Sequence, residues 1–76
     1  MRLDELQNGQ KAKIISIDAS KTLRDRLYSF GILPNETVEI KAHAIAKQTI
    51  EIDVDNTLIA LRADEAHKIE VELLEE

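Results

Sequence analysis

One segment of the chain has a helical period: SKTLRDRLYSFGILPN, which occupies residues 20–35. Within it, Leu23, Leu27 and Phe30 recur at i, i+4 and i+7, the spacing that places side chains on one face of a helix. We therefore expect one helix here, with Leu27 and Phe30 in the core. The later segments that have a clear period alternate by two, as β-strands do.

Both ends of this helix carry signals. Ser20, or Asp18 before it, can cap the start by accepting a hydrogen bond from a free backbone N–H. Gly31 follows the last apolar position, where a residue in the left-handed conformation ends a helix. With Gly31 in that place, a contact between Leu27 and Ile32 would complete a Schellman motif. We therefore expect the helix to stop sharply at Gly31.

The turn after the helix carries the residues that we expect to contact a partner. Pro34 fixes its own φ and Asn35 tolerates a positive φ, so that the chain turns back as sheet. Tyr28 lies a step round the helix from the apolar face, and Leu33 lies in the turn. Exposed apolar groups beside a rigid turn can anchor another protein, although Leu33 could equally close one end of the core. The partner-binding candidates are Tyr28, Gly31, Leu33, Pro34 and Asn35.

Five segments have the composition of short strands: residues 11–18, 37–43, 49–54, 57–61 and 69–73. The third, TIEIDV, alternates apolar with polar and acidic residues most clearly. In the first, Ile14 lies on one face and Ile15 and Ile17 lie on the other. We therefore expect both faces of this strand to be partly covered. The fourth is also apolar on both faces, and we expect the helix to cover the face that carries Ile59 and Leu61.

The connections between these segments carry three further expectations. Leu3 and Leu6 are spaced for one helical turn that lays both side chains on the core. Asp55-Asn56 stands where a two-residue hairpin loop belongs. A single helical turn capped by Asp64 is expected before the last strand.

The order of these elements predicts a mainly β fold. It reads strand, helix, and then four strands with a short helical turn before the last. Five short strands in a chain of 76 residues can bury their apolar faces if the sheet curls into a small barrel, which also hides its edges. The length fits one domain, residues 1–76, and the absence of cysteine excludes disulfides, so stability must come from an apolar core.

Composition and charge disfavour several classes of function. A net charge of −5 disfavours binding to a phosphate backbone, which relies on Lys and Arg. A local basic patch is an alternative to scattered surface charge, and its candidates are Lys21, Arg24, Arg26, Lys41 and Lys47. The N-terminal segment lacks the apolar run of a signal peptide, and no segment has the length of a membrane-spanning helix, so we expect a cytosolic protein.

The chain also lacks the residue patterns of common enzyme classes. It has only two glycines, which excludes a phosphate-binding loop and a dinucleotide fingerprint, and no Ser-His-acid motif is present. We therefore expect no catalytic activity and no cofactor. His43 and His67 are candidate ligands for Fe²⁺, and Glu51 and Asp53 could lie across a hairpin from His43. Because no closely spaced histidine pair is present, we expect surface histidines rather than a metal site.

Taken together, these residues resemble the ferrous-iron transport protein A (FeoA) family over residues 3–71. The order and spacing of short motifs carry the resemblance: Leu3-x-x-Leu6-x-x-Gly9, Ile14, Arg26-Leu27, Gly31-Ile32-x-Pro34, Ile50-x-Ile52-x-Val54, Leu58-Ile59-Ala60-Leu61-Arg62, Glu65-Ala66 and Ile69-x-Val71. The chain departs from the family pattern where Asn35 replaces the usual glycine, where Asp55-Asn56 replaces a glycine turn, and at residues 44–48, which lack the usual Pro and Gly.

The resemblance implies a small SH3-like barrel and a partner, the membrane ferrous-iron transporter FeoB, whose cytosolic portion carries a GTP-binding domain. It also implies that the chain docks on this portion and modulates iron uptake. The same domain occurs at the C-terminus of metal-dependent repressors, but no winged-helix segment precedes it here, so we expect a free-standing protein. Two alternatives stay open: a small Fe²⁺-binding protein that uses His43 and His67, and a domain that associates with copies of itself.

Overall fold

The computed structural model describes residues 1–44 and 48–74. Its elements, in order, are the 3₁₀ turn Leu3–Glu5, β1 Lys11–Ile17, α1 Lys21–Ser29, β2 Thr37–Ala44, β3 Thr49–Val54, β4 Thr57–Arg62, α2 Ala63–Ala66 and β5 Ile69–Leu73. The predicted mainly β architecture, with one helix after the first strand and a short helix before the last, is confirmed. Residues 45–47, which include the basic-patch candidate Lys47, lie outside the described residues.

The strands of the described residues form one antiparallel sheet in the order β4-β3-β2-β1-β5. β4 and β5 are therefore its two edges, and because these described strands do not pair with each other, strand pairing does not hide the edges as expected. They are linked through α2, which contacts β4, β3 and the 3₁₀ turn. The two edges differ in what covers them, and this difference matters for the surfaces described below.

The predicted helix stop is confirmed in detail. Gly31 has a φ of 88°, in the left-handed region. The Ile32 N–H donates to the Leu27 carbonyl over 3.1 Å, and the Gly31 N–H donates to the Tyr28 carbonyl over 2.9 Å. These are the two hydrogen bonds of a Schellman motif, and Leu27 and Ile32 are both fully buried. Asn35 has a φ of 76°, as its place in the turn predicts.

The start of α1 is also as predicted, but one member of its apolar face is not in the core. The Ser20 hydroxyl caps the helix by accepting from the Leu23 N–H over 3.3 Å. Leu23 is partly buried against the core, whereas Phe30 is 43% exposed. The prediction for Phe30 is wrong because α1 ends at Ser29. Phe30 follows the last helical residue, and its ring lies on the surface.

A bulge changes the faces of β1. The register with β5 shifts between Ile14 and Ser16, so the alternation of the strand slips by one residue. Ile14 and Ile17 are both buried as a result, whereas Ile15 is 44% exposed. The prediction that Ile15 and Ile17 share a covered face is therefore wrong.

Two connections differ in outcome. Asp55 and Asn56 have φ of 53° and 63°, the two positive values that a tight hairpin turn of this kind requires, and the predicted two-residue loop is confirmed. The predicted cap at Asp64 is wrong, because α2 begins one residue before it. The Arg62 N–H is instead satisfied by the Glu65 carboxylate, over 3.1 Å.

The core lies between the inner face of the sheet, α1 and the N-terminal turn. Leu3 and Leu6 are buried in it, as predicted, and so is Leu61, with Ile59 partly buried against it. The inner face of β4 is therefore covered, as expected. The buried apolar residues are Leu3, Leu6, Ala12, Ile14, Ile17, Leu27, Ile32, Val38, Ile40, Ile50, Ile52, Val54, Leu61, Ala66, Ile69 and Val71.

Candidate partner-binding surface

The predicted contact residues lie together at the end of α1 and in the turn that follows. We call Tyr28, Gly31, Leu33, Pro34 and Asn35 the turn surface. Tyr28 and Leu33 are each 38% exposed, which is high for large apolar side chains. Pro34 and Asn35 are exposed as well, and Gly31 is half-buried.

Backbone hydrogen bonds hold this turn against β1. The Asn35 N–H donates to the Ile14 carbonyl over 2.7 Å, and the Ile14 N–H donates to the Glu36 carbonyl over 2.9 Å. A third bond, from the Glu36 N–H to the Leu33 carbonyl, closes the turn over 3.1 Å. Because Ile14 is fully buried in the central part of the sheet, the exposed side chains are presented from a fixed backbone.

An ion pair joins α1 to α2. The Arg26 guanidinium donates to the Glu65 carboxylate over 2.8 Å, and the Glu65 side chain is only 11% exposed. The same guanidinium lies 5.9 Å from the centroid of the Phe30 ring, within cation–π range. Both Arg26 and Glu65 belong to the motifs that carry the family resemblance, but their separation in sequence hides the contact.

A second apolar surface was missed by the sequence reasoning. Ser29 and Phe30, at the end of α1, line one side of a groove whose other side is formed by Thr57, Leu58, Ile59 and Ala60. We call this the β4 groove. Leu58 is 65% exposed, the highest value among the large apolar residues that stand out from the described surface. Its position opposite Asp53 on the outer face of the hairpin is the signal that could have identified it.

The two histidines lie near the N-terminal segment but do not form a metal cluster. Nδ1 of His43 lies 2.5 Å from Oδ1 of Asn8, and Nδ1 of His67 lies 3.1 and 3.2 Å from the carboxylate oxygens of Asp4. Asp4 and His43 line one shallow groove. Among the described residues, no group of three or more His, Cys, Asp or Glu side chains is placed to hold a metal ion.

The carboxylates expected near His43 are displaced along the sheet. A register shift in the β2–β3 ladder follows Ile40, and beyond it His43 pairs with Ile50 while Glu51 pairs with Ala42. Asp53 lies nearer the other end of the hairpin. Because directly opposite residues share a face and successive residues alternate, Glu51 and His43 lie on opposite faces of the sheet.

Most of the described candidates for the alternative basic patch are matched with carboxylates. Lys21 pairs with Asp25 over 2.7 Å, and Lys41 contacts Glu39 over 3.3 Å. Arg26 is held by Glu65, so three of the four described candidates are matched with a carboxylate. For these three residues, the pairing agrees with the solvated surface charge that the sequence favours.

The β5 edge is covered by the N-terminal segment. The Val71 N–H donates to the Met1 carbonyl over 2.8 Å, and Arg2 forms a bridge with Glu70. The terminal ammonium group lies 2.8 Å from the Glu70 carboxylate, and Arg2 Nε lies 3.5 Å from it. The hydrogen bond from the ammonium group lowers the pKa of Glu70 below its ordinary value, and the nearby positive charges act in the same direction.

Comparisons with known proteins identify the family. A model of the FeoA domain matches residues 1–73. A Campylobacter jejuni protein assigned as Fe(2+) transport protein A is 40% identical over 74 residues, which cover 97% of this chain and all of that protein. A Porphyromonas gingivalis fusion of Fe(2+) transport protein A with the Fe(2+) transporter FeoB is 30% identical over 74 residues, 97% of this chain but 9% of the fusion.

A solved structure supports the fold. The crystal structure of Stenotrophomonas maltophilia FeoA complexed with zinc, described as a prokaryotic SH3 domain protein, matches with a TM-score of 0.83. The two chains are 28% identical, and the match covers 95% of this chain and 89% of that one. In the described residues, no helix is both long and apolar enough to span a bilayer. With its SH3-like fold confirmed and the family model matched over nearly its whole length, this chain belongs to the FeoA domain family.

Proposed function

We propose that this chain is a non-catalytic accessory protein of ferrous-iron uptake, which works in the cytosol as one domain and docks on the cytosolic part of FeoB. The observation that carries the proposal is the Porphyromonas gingivalis fusion, in which a segment similar to this chain is joined to FeoB in one polypeptide. Modules on one chain meet at high effective concentration, which suits a pair that works in contact. Membership of the FeoA family supports the same role.

The turn surface is the docking site in this proposal. Its support is the combination of exposed Tyr28 and Leu33 with a backbone that is hydrogen-bonded to β1. A contact made by rigid apolar groups loses little conformational entropy on binding, so small anchors can suffice. Docking would modulate transport by favouring one transporter state, because a bound protein shifts an equilibrium only through its different affinities for the two states.

A binding measurement with the isolated cytosolic portion of FeoB from the same genome tests the proposal. We expect the wild-type chain to bind saturably in calorimetry and Leu33→Asp to weaken binding by at least about tenfold, since a charge replaces an apolar anchor. Leu74→Asp is the matched control, because Leu74 is similarly exposed, at 41%, near the end of β5. We expect it to bind as the wild type does.

The outcomes separate the parts of the proposal. No saturable binding by the wild-type chain would contradict docking on FeoB. Binding that Leu33→Asp leaves unchanged, with the variant folded, would keep the partner and remove the turn surface as its site. Equal weakening by Leu74→Asp would show an effect of net charge rather than of a specific contact.

A further inference from the structure

The β4 edge lacks the features that protect free strand edges. Natural sheets guard an exposed edge with charges, proline, bulges or a covering segment. From Thr57 to Leu61 the strand has no charged residue and no proline, and its ladder with β3 runs without a register shift. Within residues 1–44 and 48–74, no segment pairs with its outer side.

The hairpin geometry shows which backbone groups this edge presents. The two-residue loop makes Val54 and Thr57 the closing, hydrogen-bonded pair of the β3–β4 ladder. Since such pairs alternate with non-hydrogen-bonded ones, the backbone N–H and C=O of Leu58 and Ala60 point away from β3. Among the described residues, β4 pairs with β3 alone, and no hydrogen bond of the turns and loops uses these groups. Leu58 and Ala60 therefore form a two-residue template for another strand.

The side chains around this template are apolar on both faces. Leu58 projects on the outer face at 65% exposure, and Phe30 lies at 43% exposure in the β4 groove beside it. A strand added at this edge would cover both. Apolar area that the fold leaves exposed at an unpaired edge fits a partner that pairs there as a strand.

The charges at the ends of β4 point to the occupant. Exposed Asp55 lies in the loop just before the strand, and exposed Arg62 is its last residue. A strand with an anion at one end and a cation at the other is complementary to a second copy of itself that runs antiparallel. We infer that two copies of this chain pair through their β4 edges, extending the five-stranded sheet across a two-fold axis.

One register satisfies all of these features. Leu58 of each copy lies opposite Ala60 of the other, which pairs a large side chain with a small one and joins the free backbone groups of both. Ile59 then lies on the two-fold axis, and Arg62 faces the loop of the other copy, next to its Asp55. This surface contains none of the turn-surface residues, so the inference is independent of docking on FeoB. An interface of this size belongs to the weak, concentration-dependent class.

Sedimentation and hydrogen exchange test the pairing on the wild-type chain. We expect the weight-average mass to rise from that of one chain toward that of two as concentration increases. Over the same range, amide exchange at Leu58 and Ala60 should slow, whereas exchange at Ile59, which faces β3, should not. A mass that stays that of one chain up to millimolar concentration would overturn the inference, as would a dimer without protection at these two amides.

A matched pair of variants tests the surface. Leu58→Lys should raise the dimer dissociation constant by more than about tenfold, because a charge at the centre of an edge blocks strand addition. Ile15→Lys makes the same charge change at an exposed apolar residue of β1, a strand paired on both sides, and should leave the constant unchanged. Equal effects of the two variants would overturn the inference.

The absence of cysteine allows a test of register and direction. Chains with Leu58→Cys and chains with Ala60→Cys, mixed in equal amounts and oxidised gently, should give clearly more of the mixed disulfide than the roughly one half of the linked product that random pairing yields. In the proposed register the two different positions are directly opposite, whereas like positions are diagonal and beyond the distance that a disulfide spans. If the mixed disulfide made up only about half of the linked product, as random collision of equal amounts of the two chains predicts, the pairing would be contradicted.

Discussion

The two edges of the same sheet are protected in different ways. On β5, Glu70 and Glu72 alternate with buried residues, and Met1 and Arg2 cover part of the strand through hydrogen bonds and an ion pair. On β4, the outer face carries exposed Leu58 and Ala60, and the described residues provide no cover. The comparison separates the residues that stabilise the fold from exposed residues that are available for contacts with another molecule.

On the inner face of the sheet, both edge strands contribute a buried side chain to the core. Ile69 on β5 and Leu61 on β4 are both buried, at 0% and 1% exposure. The two strands therefore differ on the outer side of the sheet, where side chains do not pack in the core. Leu58 and Phe30 together form an exposed apolar patch at this edge, and such a patch fits an interface better than a demand of the core.

The largest expected effect tests the similarity of the two strands. Ile69→Ala and Leu61→Ala should each lower the free energy of unfolding by about 2–4 kcal/mol, the usual cost of removing a large aliphatic side chain from a core. Denaturant unfolding followed by circular dichroism would measure both. If only the β5 variant showed such a loss, β4 would be a weakly attached edge, and its exposed groups would need no partner to explain them.

A smaller effect is expected where the chain positions Phe30 beside β4. Gly31→Val should destabilise the protein by about 1–3 kcal/mol, because a β-branched residue is strained at a φ of 88°. An added Cβ would meet no atom within 4 Å, so the cost should come from the backbone alone. Gly31→Asn serves as the control, since Asn tolerates this conformation better. Equal melting temperatures for the Val variant and the parent would contradict the Schellman stop.

The features predicted well from sequence are those that a few adjacent residues determine. The end of α1 at Gly31, the cap at Ser20 and the turn at Asp55-Asn56 each depend on local φ preference or on one short hydrogen bond. The alternation of β3 was equally clear. These signals were sufficient to predict the helix end and the turn that carry the turn surface, because both depend on neighbouring residues.

The features that were missed depend on contacts between distant segments. The β1 bulge is a property of its pairing with β5, and it decides that Ile15 is exposed. Whether Phe30 is covered depends on where α1 ends relative to β4, and whether Leu58 is exposed depends on which strand is the edge. The pair between Arg26 and Glu65 spans two elements. The periodicity of a single segment cannot predict the bulge, the two exposed side chains or the ion pair.

A modest effect is expected from loosening the cover of β5. Because the pKa of Glu70 is lowered in the folded chain, its carboxylate stabilises the fold above its unfolded pKa, and this contribution is lost as pH falls through the folded value. Glu70→Gln should therefore be less stable than the wild type at neutral pH, and the difference should shrink in acid. The Val71 amide should also exchange faster in the variant.

Glu72→Gln is the control for that measurement, since Glu72 is an exposed carboxylate on the same strand. It should show a smaller difference from the wild type at neutral pH, because Glu72 lacks the ion pairs that Glu70 makes with the N-terminal segment. A difference for Glu70→Gln that grows as the solution becomes acid would contradict the role of its charge in holding the N-terminal segment.

The smallest expected effect is the change in stability caused by Leu58→Lys, which tests whether Leu58 serves an interface or its own chain. At a concentration low enough to keep the chain monomeric, Leu58→Lys should change the free energy of unfolding by less than about 0.5 kcal/mol, because a surface substitution away from the core removes few contacts. The same variant should weaken self-association strongly. A loss of stability above about 1 kcal/mol would mean that Leu58 packs within its own chain, since an exposed side chain should not carry that much. The contrast between the edges would then reflect two ways of stabilising a sheet, and the apolar edge would no longer argue for a second copy.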